Sequence, residues 1–158
     1  HCLVGSEMCI RDRFNNFLKK NKIIPRPGVL DIINYCKRNN IKIGFVTSTT
    51  KNNIDSVFLS TGKYLSKKDF NYIGNNNIGK NIKTKLEVYK HCLNKLKLKN
   101  YECVAIEDTE ISMKSANKAN IKCIAFPGNF HTDSKFKNSI VRVRKLNINL
   151  IKKLQRID

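Results

Sequence analysis

The sequence predicts an α/β domain of three layers, a parallel sheet with helices on both faces, and three observations carry that prediction. Short runs that are apolar but for Lys42 and Lys122, at 41–46, 103–106 and 121–126, alternate with amphipathic stretches of helical length. Each run ends in a polar cluster: Thr47-Ser48, Glu107-Asp108 and Pro127-Gly128-Asn129. The chain has 158 residues, 41% of them apolar, enough for one core. Strands apolar on both faces need cover on both, and alternation with helices makes their pairing parallel. In such sheets a ligand lies beyond the carboxyl ends of the strands.

The elements follow in order. Residues 14–22 form a short amphipathic piece that stops before Pro25-Arg26-Pro27-Gly28, where proline fixes φ and removes an amide donor. Residues 29–40 place Leu30, Ile33, Tyr35 and Cys36 near helical spacing, with Asn39-Asn40 as the stop. Residues 41–46, β-branched and aromatic, run as a buried strand into Thr47-Ser48-Thr49-Thr50, hydroxyls suited to cap a helix over 51–59. A short strand over 70–73 and a loop over 75–80 lead to a helix over 84–96, with Leu86, Tyr89, Leu93 and Leu96 on one face. The strand over 103–106 ends in Glu107-Asp108-Thr109. A helix over 113–119, a strand over 121–126 and a helix over 146–154 complete the series. Nothing divides 25–158 into two domains.

Composition excludes several classes. No apolar run is long enough to span a bilayer, and 7 Gly, 3 Pro and 6 Cys fit neither a collagen-like chain nor a dense disulfide scaffold. No Cys-x-x-Cys pair or zinc-spaced Cys/His cluster occurs. Cys36, Cys92, Cys103 and Cys123 sit in apolar contexts and read as small buried thiols of a reducing cytoplasm, with a plastid or other organelle also open. Lys+Arg number 31 against 12 Asp+Glu, a formal charge of +19. Lys dominates, is spread over every segment, and accompanies abundant Asn and Ile, all three written with A/T-rich codons. A nucleic-acid reader concentrates its charge and favours Arg, so a solvated basic surface that attracts small anions is the reading adopted. A basic nucleic-acid-binding module is the alternative from another class.

The stretch from Leu3 to Asp12 resembles the conceptual translation of a transposase adapter used in preparing sequencing libraries, so residues 1–13 are set aside from fold reasoning. Removing them leaves the net charge unchanged, since they hold two Arg, one Glu and one Asp.

Three clusters of the remainder carry a family resemblance. Pro25-Arg26-Pro27-Gly28-Val29, with Ile41-Lys42-Ile43-Gly44-Phe45-Val46-Thr47-Ser48-Thr49, resembles the second motif region of the haloacid dehalogenase-like phosphohydrolases. Lys83-Thr84-Lys85-Leu86-Glu87-Val88-Tyr89 resembles the third, Lys-Pro-x-Pro-Asp-x-Tyr, with both prolines replaced and Glu87 as the acid. Val104-Ala105-Ile106-Glu107-Asp108-Thr109, with Met113 to Ala116 and Ala119 to Ile121, is similar to the fourth, although Ser112 and Asn120 stand where family members usually have Gly. Pro127-Gly128-Asn129-Phe130-His131 resembles the β-phosphoglucomutase and phosphoglycolate phosphatase branch.

The resemblance implies a Rossmann-like core and a Mg²⁺-dependent phosphohydrolase acting through an aspartyl-phosphate on a small phosphorylated metabolite. A phosphatase is favoured over a phosphomutase, without nucleic-acid or membrane partner and monomeric. It implies that the Thr47 hydroxyl and Ser48 N–H bind the phosphoryl group, with Lys83, or Lys80 in its place, as the cation. It assigns Glu107 and Asp108 to the metal. Such chemistry needs charge stabilisation and placement above all. The bare residues leave other readings open: Thr47 to Thr50 as helix caps, the lysines as solvated charges, Asp108 as the next helix's cap. His131 is assigned to a surface loop. The family's first region, Asp-x-Asp-Gly, which supplies the nucleophile and the general acid/base on a central strand, does not occur in this sequence. The expectation is a truncated chain, with 14–24 as the last piece of the helical cap, inactive as written and marginally stable. Its sheet would lack the strand between those ending at Thr47 and Asp108, at about 1–3 kcal/mol for each unpaired buried group. A relative that lost the motif in evolution is the remaining reading.

Overall fold

The computed structural model describes residues 13, 16–75, 77–79, 82–129 and 135–155. The adapter-like stretch (residue 13 apart), Lys80 and His131 lie outside the described residues. Gly28 opens the core: its φ is 88°, and a Cβ there would meet the Leu146 carbonyl carbon at 2.7 Å, so only glycine fits the turn. Helix α1 (Val29–Arg38) follows and buries Ile32, Ile33 and Cys36. Strand β1 (Gly44–Val46) is shorter than the apolar run suggested. Helix α2 (Lys51–Thr61) is capped by the Thr50 side chain, which accepts from the Asn53 amide. Strand β2 (Tyr72–Gly74) and helix α3 (Lys85–Leu96) come next, α3 opening on a capping box of Thr84 and Glu87. Strand β3 (Val104–Glu107), helix α4 (Glu110–Lys118), strand β4 (Lys122–Ala125), strand β5 (Val141–Arg142) and helix α5 (Ile148–Leu154) complete the chain. Residues 16–20 form a helical turn with Leu18 buried; its carbonyl accepts from the Ser60 hydroxyl of α2.

Among the described residues all pairing is parallel, in two sheets: β1 beside β2, and β3-β4-β5. Among the described residues no strand joins β1 to β3, the place where the sequence reading set the missing strand. Helices tie the halves together instead. On one face Tyr89 of α3 and Met113 and Ala116 of α4 cover Ala105, Cys123 and Ala125, and Val46 of β1 packs against the same cluster. On the other, Ile32 and Cys36 of α1 and Ile151 of α5 cover Ile124 and Phe126, with Ile43, Val104 and Ile106 alongside. Phe45, Phe58 and Phe70 stack with centroids 5.4 to 5.6 Å apart, which fixes α2 against β1. The three-layer α/β architecture is therefore as expected. Arg26 locks the end of β4: its guanidinium lies 3.4 Å over the Phe126 ring and donates to the Phe126 and Pro127 carbonyls at 2.7 Å each. No described helix is long and apolar enough to cross a membrane.

Two expectations need adjustment. α3 is sandwiched, so Val88 and Cys92 are buried as well as Tyr89, while Leu86, Leu93 and Leu96 pack at its margins. The edge strand β5 was not anticipated. Of the four thiols described, Cys36, Cys92 and Cys123 are buried and Cys103 is half-buried, all free.

Burial pushes the Cys92 and Cys123 thiols up to about 12 from ordinary values of 9.0, and the Tyr72 phenol up to about 12 from 10.0. From about pH 9 the unfolded chain gives up protons that the folded chain keeps, so stability falls as pH rises through that window. The urea midpoint is expected to hold level from pH 7 to about pH 9 and then drop steadily toward pH 12; a midpoint unchanged at pH 11 would contradict this burial.

Candidate active site

Helix α3 determines where the strand ends lie. Its C-terminal half meets the start of β1, where a Cβ on Gly44 would sit 2.8 Å from Cys92 Sγ and 3.9 Å from Leu96. Its N-terminal half meets the far ends of β2 and β3. A Cβ on Gly74 would lie 2.6 Å from Val88, and Glu107 contacts Lys85 and Tyr89. The helix therefore runs antiparallel to β1, β2 and β3, and their carboxyl ends emerge beside its N-terminus. Thr47, Ser48, Lys83, Glu107 and Asp108 all follow from that placement onto one rim.

The hydroxyl cluster divides its labour. Thr50 alone caps α2. Thr47 continues the β1–β2 ladder, its amide donating to the Gly74 carbonyl at 3.1 Å. Its Oγ1 accepts from the Thr49 amide at 3.1 Å, which leaves the hydroxyl proton for another acceptor. Ser48 is exposed and makes no hydrogen bond among the described residues. Behind them Asn53 is buried; its Nδ2 donates to Thr49 Oγ1 at 2.5 Å while Oδ1 has no partner among the described residues. Unpaired amides and the dipole at this helix start favour an anion.

The acids behave differently from each other. Glu107 is only 6% exposed. Lys85 Nζ lies 2.7 Å from its Oε1 and 2.8 Å from its Oε2, and the Tyr89 hydroxyl donates to Oε1. Burial first, and then the Glu107 charge, push the Tyr89 phenol far above its ordinary range, so it stays a neutral donor. Asp108 is exposed and makes no ion pair or hydrogen bond among the described residues, and Thr109, not Asp108, caps α4. Lys83 is exposed just before α3. Its amide and that of Thr84 donate to Glu87 Oε2 at 2.6 and 2.8 Å, holding the Glu87 carboxyl below the usual carboxylate range. Glu87 is thus engaged in capping.

A magnesium ion is content with one or two carboxylates plus water and phosphate oxygens. Asp108 fits that role. Glu107 already holds the Lys85 ammonium across both oxygens and the Tyr89 hydroxyl on Oε1. Among the described residues no group of three His, Cys, Asp or Glu side chains converges to hold a metal. Two surface clefts lie away from the rim, one along Leu30, Ile33, Tyr64 and Asp69 and the other along Asn117, Asn120, Cys123 and Ile140.

The haloacid dehalogenase-like hydrolase family matches residues 7–126, most of the chain. The chain belongs to that family. Among curated relatives, CbbY of Cereibacter sphaeroides is 26% identical over 121 residues, covering 77% of this chain and 52% of that protein. Among solved structures, CbbY from Rhodobacter sphaeroides, in complex with xylulose-(1,5)bisphosphate or with phosphate, superposes with a TM-score of 0.76 at 23% identity, over 85% of this chain and 60% of that one. β-Phosphoglucomutase from Clostridium difficile gives 0.73 at 22%, over 91% of this chain and 62% of that one. This haloacid dehalogenase-like chain spans about half to three-fifths of the length of these three proteins.

Sequence reasoning missed Lys85, Tyr89's hydroxyl role and Asn53. A signal existed for the first two: Lys85 and Tyr89 are four apart on a helix face, and a buried Glu107 demands a cation. Lys85→Met leaves that carboxylate unpaired and is expected to cost about 3–5 kcal/mol. Adding Glu107→Gln should recover most of the loss, because the amide oxygen still accepts from Tyr89. Urea midpoints of the single and double variants test this; equal stability of Lys85→Met and wild type would contradict the ion pair.

Proposed function

We propose that the chain is the phosphate-binding part of a phosphohydrolase that acts on a small phosphorylated metabolite such as a sugar phosphate. The observation that supports this reading most is the shared rim: a threonine hydroxyl with its proton still available, a helix start with unpaired amides, a lysine-bearing helix N-terminus and an exposed aspartate lie where parallel strands end. Phosphoryl transfer asks for that set, since its transition state spreads charge over equatorial oxygens and needs placement more than covalent help.

In this reading the Thr47 hydroxyl donates to one phosphoryl oxygen and the Ser48 amide to a second. The first turn of α2 adds its unpaired N–H groups. A lysine of the third motif region, Lys83 just before α3 or Lys85 at its first position, brings an ammonium charge to the same end. Asp108 would hold Mg²⁺, which when bound neutralises phosphoryl oxygens as a hard Lewis acid. The xylulose bisphosphate bound by the structurally similar CbbY supports a phosphorylated sugar as the substrate class. A phosphatase is preferred to a mutase.

The nucleophile and general acid/base of the family reading belong to an Asp-x-Asp-Gly that this sequence lacks. The chain as written should therefore bind phosphate without turning substrate over. Release of phosphate from a panel of phosphosugars with Mg²⁺ present is expected to stay at background. Turnover above it, abolished by Asp108→Asn, would show that other residues supply the nucleophile and overturn that division of roles.

A further inference from the structure

We infer that Lys85, rather than Lys83, is the lysine that faces the bound phosphoryl group, held in place by Glu107 and Tyr89. This rests on the phosphate-binding reading above and assigns its cation. An ammonium has three donors. Glu107 takes two of those on Lys85, at 2.7 and 2.8 Å, and one remains. The Lys85 side chain is 15% exposed, at the first position of α3, beside the strand ends that carry Thr47 and Asp108. With the carboxylate on one side of the ammonium, the opposite side is the positive end of the ion-pair dipole. Tyr89 fixes the carboxylate and thereby the lysine.

Lys83 lacks this support. It is exposed, and what ties it to α3 is its backbone amide on Glu87. Its long side chain would have to be ordered on binding, whereas that of Lys85 is already held in one conformation. A preorganised donor in a partly dehydrated position outweighs a solvated one. The same geometry sets the two acids of the Glu107-Asp108 pair apart: the first is paired with a lysine, and the second makes no such contact among the described residues.

The test is the affinity of the chain for inorganic phosphate by titration calorimetry at low ionic strength. Lys85→Met combined with Glu107→Gln should weaken binding at least tenfold, and Lys83→Met less than twofold, with far-UV circular dichroism and urea midpoints confirming that each variant is folded. A measurement on wild type needs no variant to fold: phosphate should slow reductive methylation of Lys85 and leave that of Lys83 unchanged. Weakening by Lys83→Met with none from the Lys85/Glu107 variant, or protection of Lys83 alone, would overturn the assignment and leave the phosphate reading standing. Absence of saturable binding by wild type would overturn both.

Discussion

Glu107 ends strand β3 inside the protein, and its carboxylate is neutralised there by Lys85 and hydrogen-bonded by Tyr89. A charge buried without partners would cost several kcal/mol, so the sheet and α3 can dock in one register only, with the first two turns of the helix over the end of β3. That constraint orients the helix antiparallel to the strands. It also places the helix N-terminus, with its unpaired amides, beside the same strand ends. Structural and chemical demands meet in one ion pair, which binds the layers and leaves a donor at the rim.

The rest of the architecture serves this meeting. β1 and β2 form one parallel pair, and β3, β4 and β5 another sheet, with no ladder between them among the described residues. What holds the halves in line is apolar contact on both faces. Val46 joins the α3–α4 cluster on one, and Ile43 joins the α1–α5 cluster on the other. Each fully buried aliphatic side chain, such as Ile124 or Val88, contributes about 1.5–3 kcal/mol relative to exposure. The strand ends are thus aligned by side chains more than by backbone bonds. A third motif region in which a capping box of Thr84 and Glu87 replaces the prolines starts α3 at the position this alignment needs.

Much of this was legible in the residues, for physical reasons that differ by element. Apolar runs announced β1, β3 and β4, and the Thr47 to Thr50 hydroxyls announced the cap of α2, whereas α4 begins at Glu110 under a Thr109 cap, ahead of the start at 113 that the sequence suggested. β5 escaped notice because its signal is the alternation of Val141 and Val143 with arginines, the pattern of a half-buried edge, not of a core strand. The site was legible in outline at Thr47 and Asp108. Lys85 and Asn53 were not, because their meaning lies in burial. A lysine among many reads as solvated until a buried carboxylate is found beside it. An asparagine in a first helical turn reads as ordinary until its oxygen is found without a partner.

Whether the rim is where anions bind is answered most directly by amide-resolved ¹H–¹⁵N spectra of the chain titrated with inorganic phosphate. The account predicts saturable shifts concentrated at Thr47 to Thr50, at the start of α3 and at the Glu107-Asp108-Thr109 turn. Shifts confined to the cleft along Asn117, Asn120 and Ile140, or scattered over the basic surface without saturation, would contradict it.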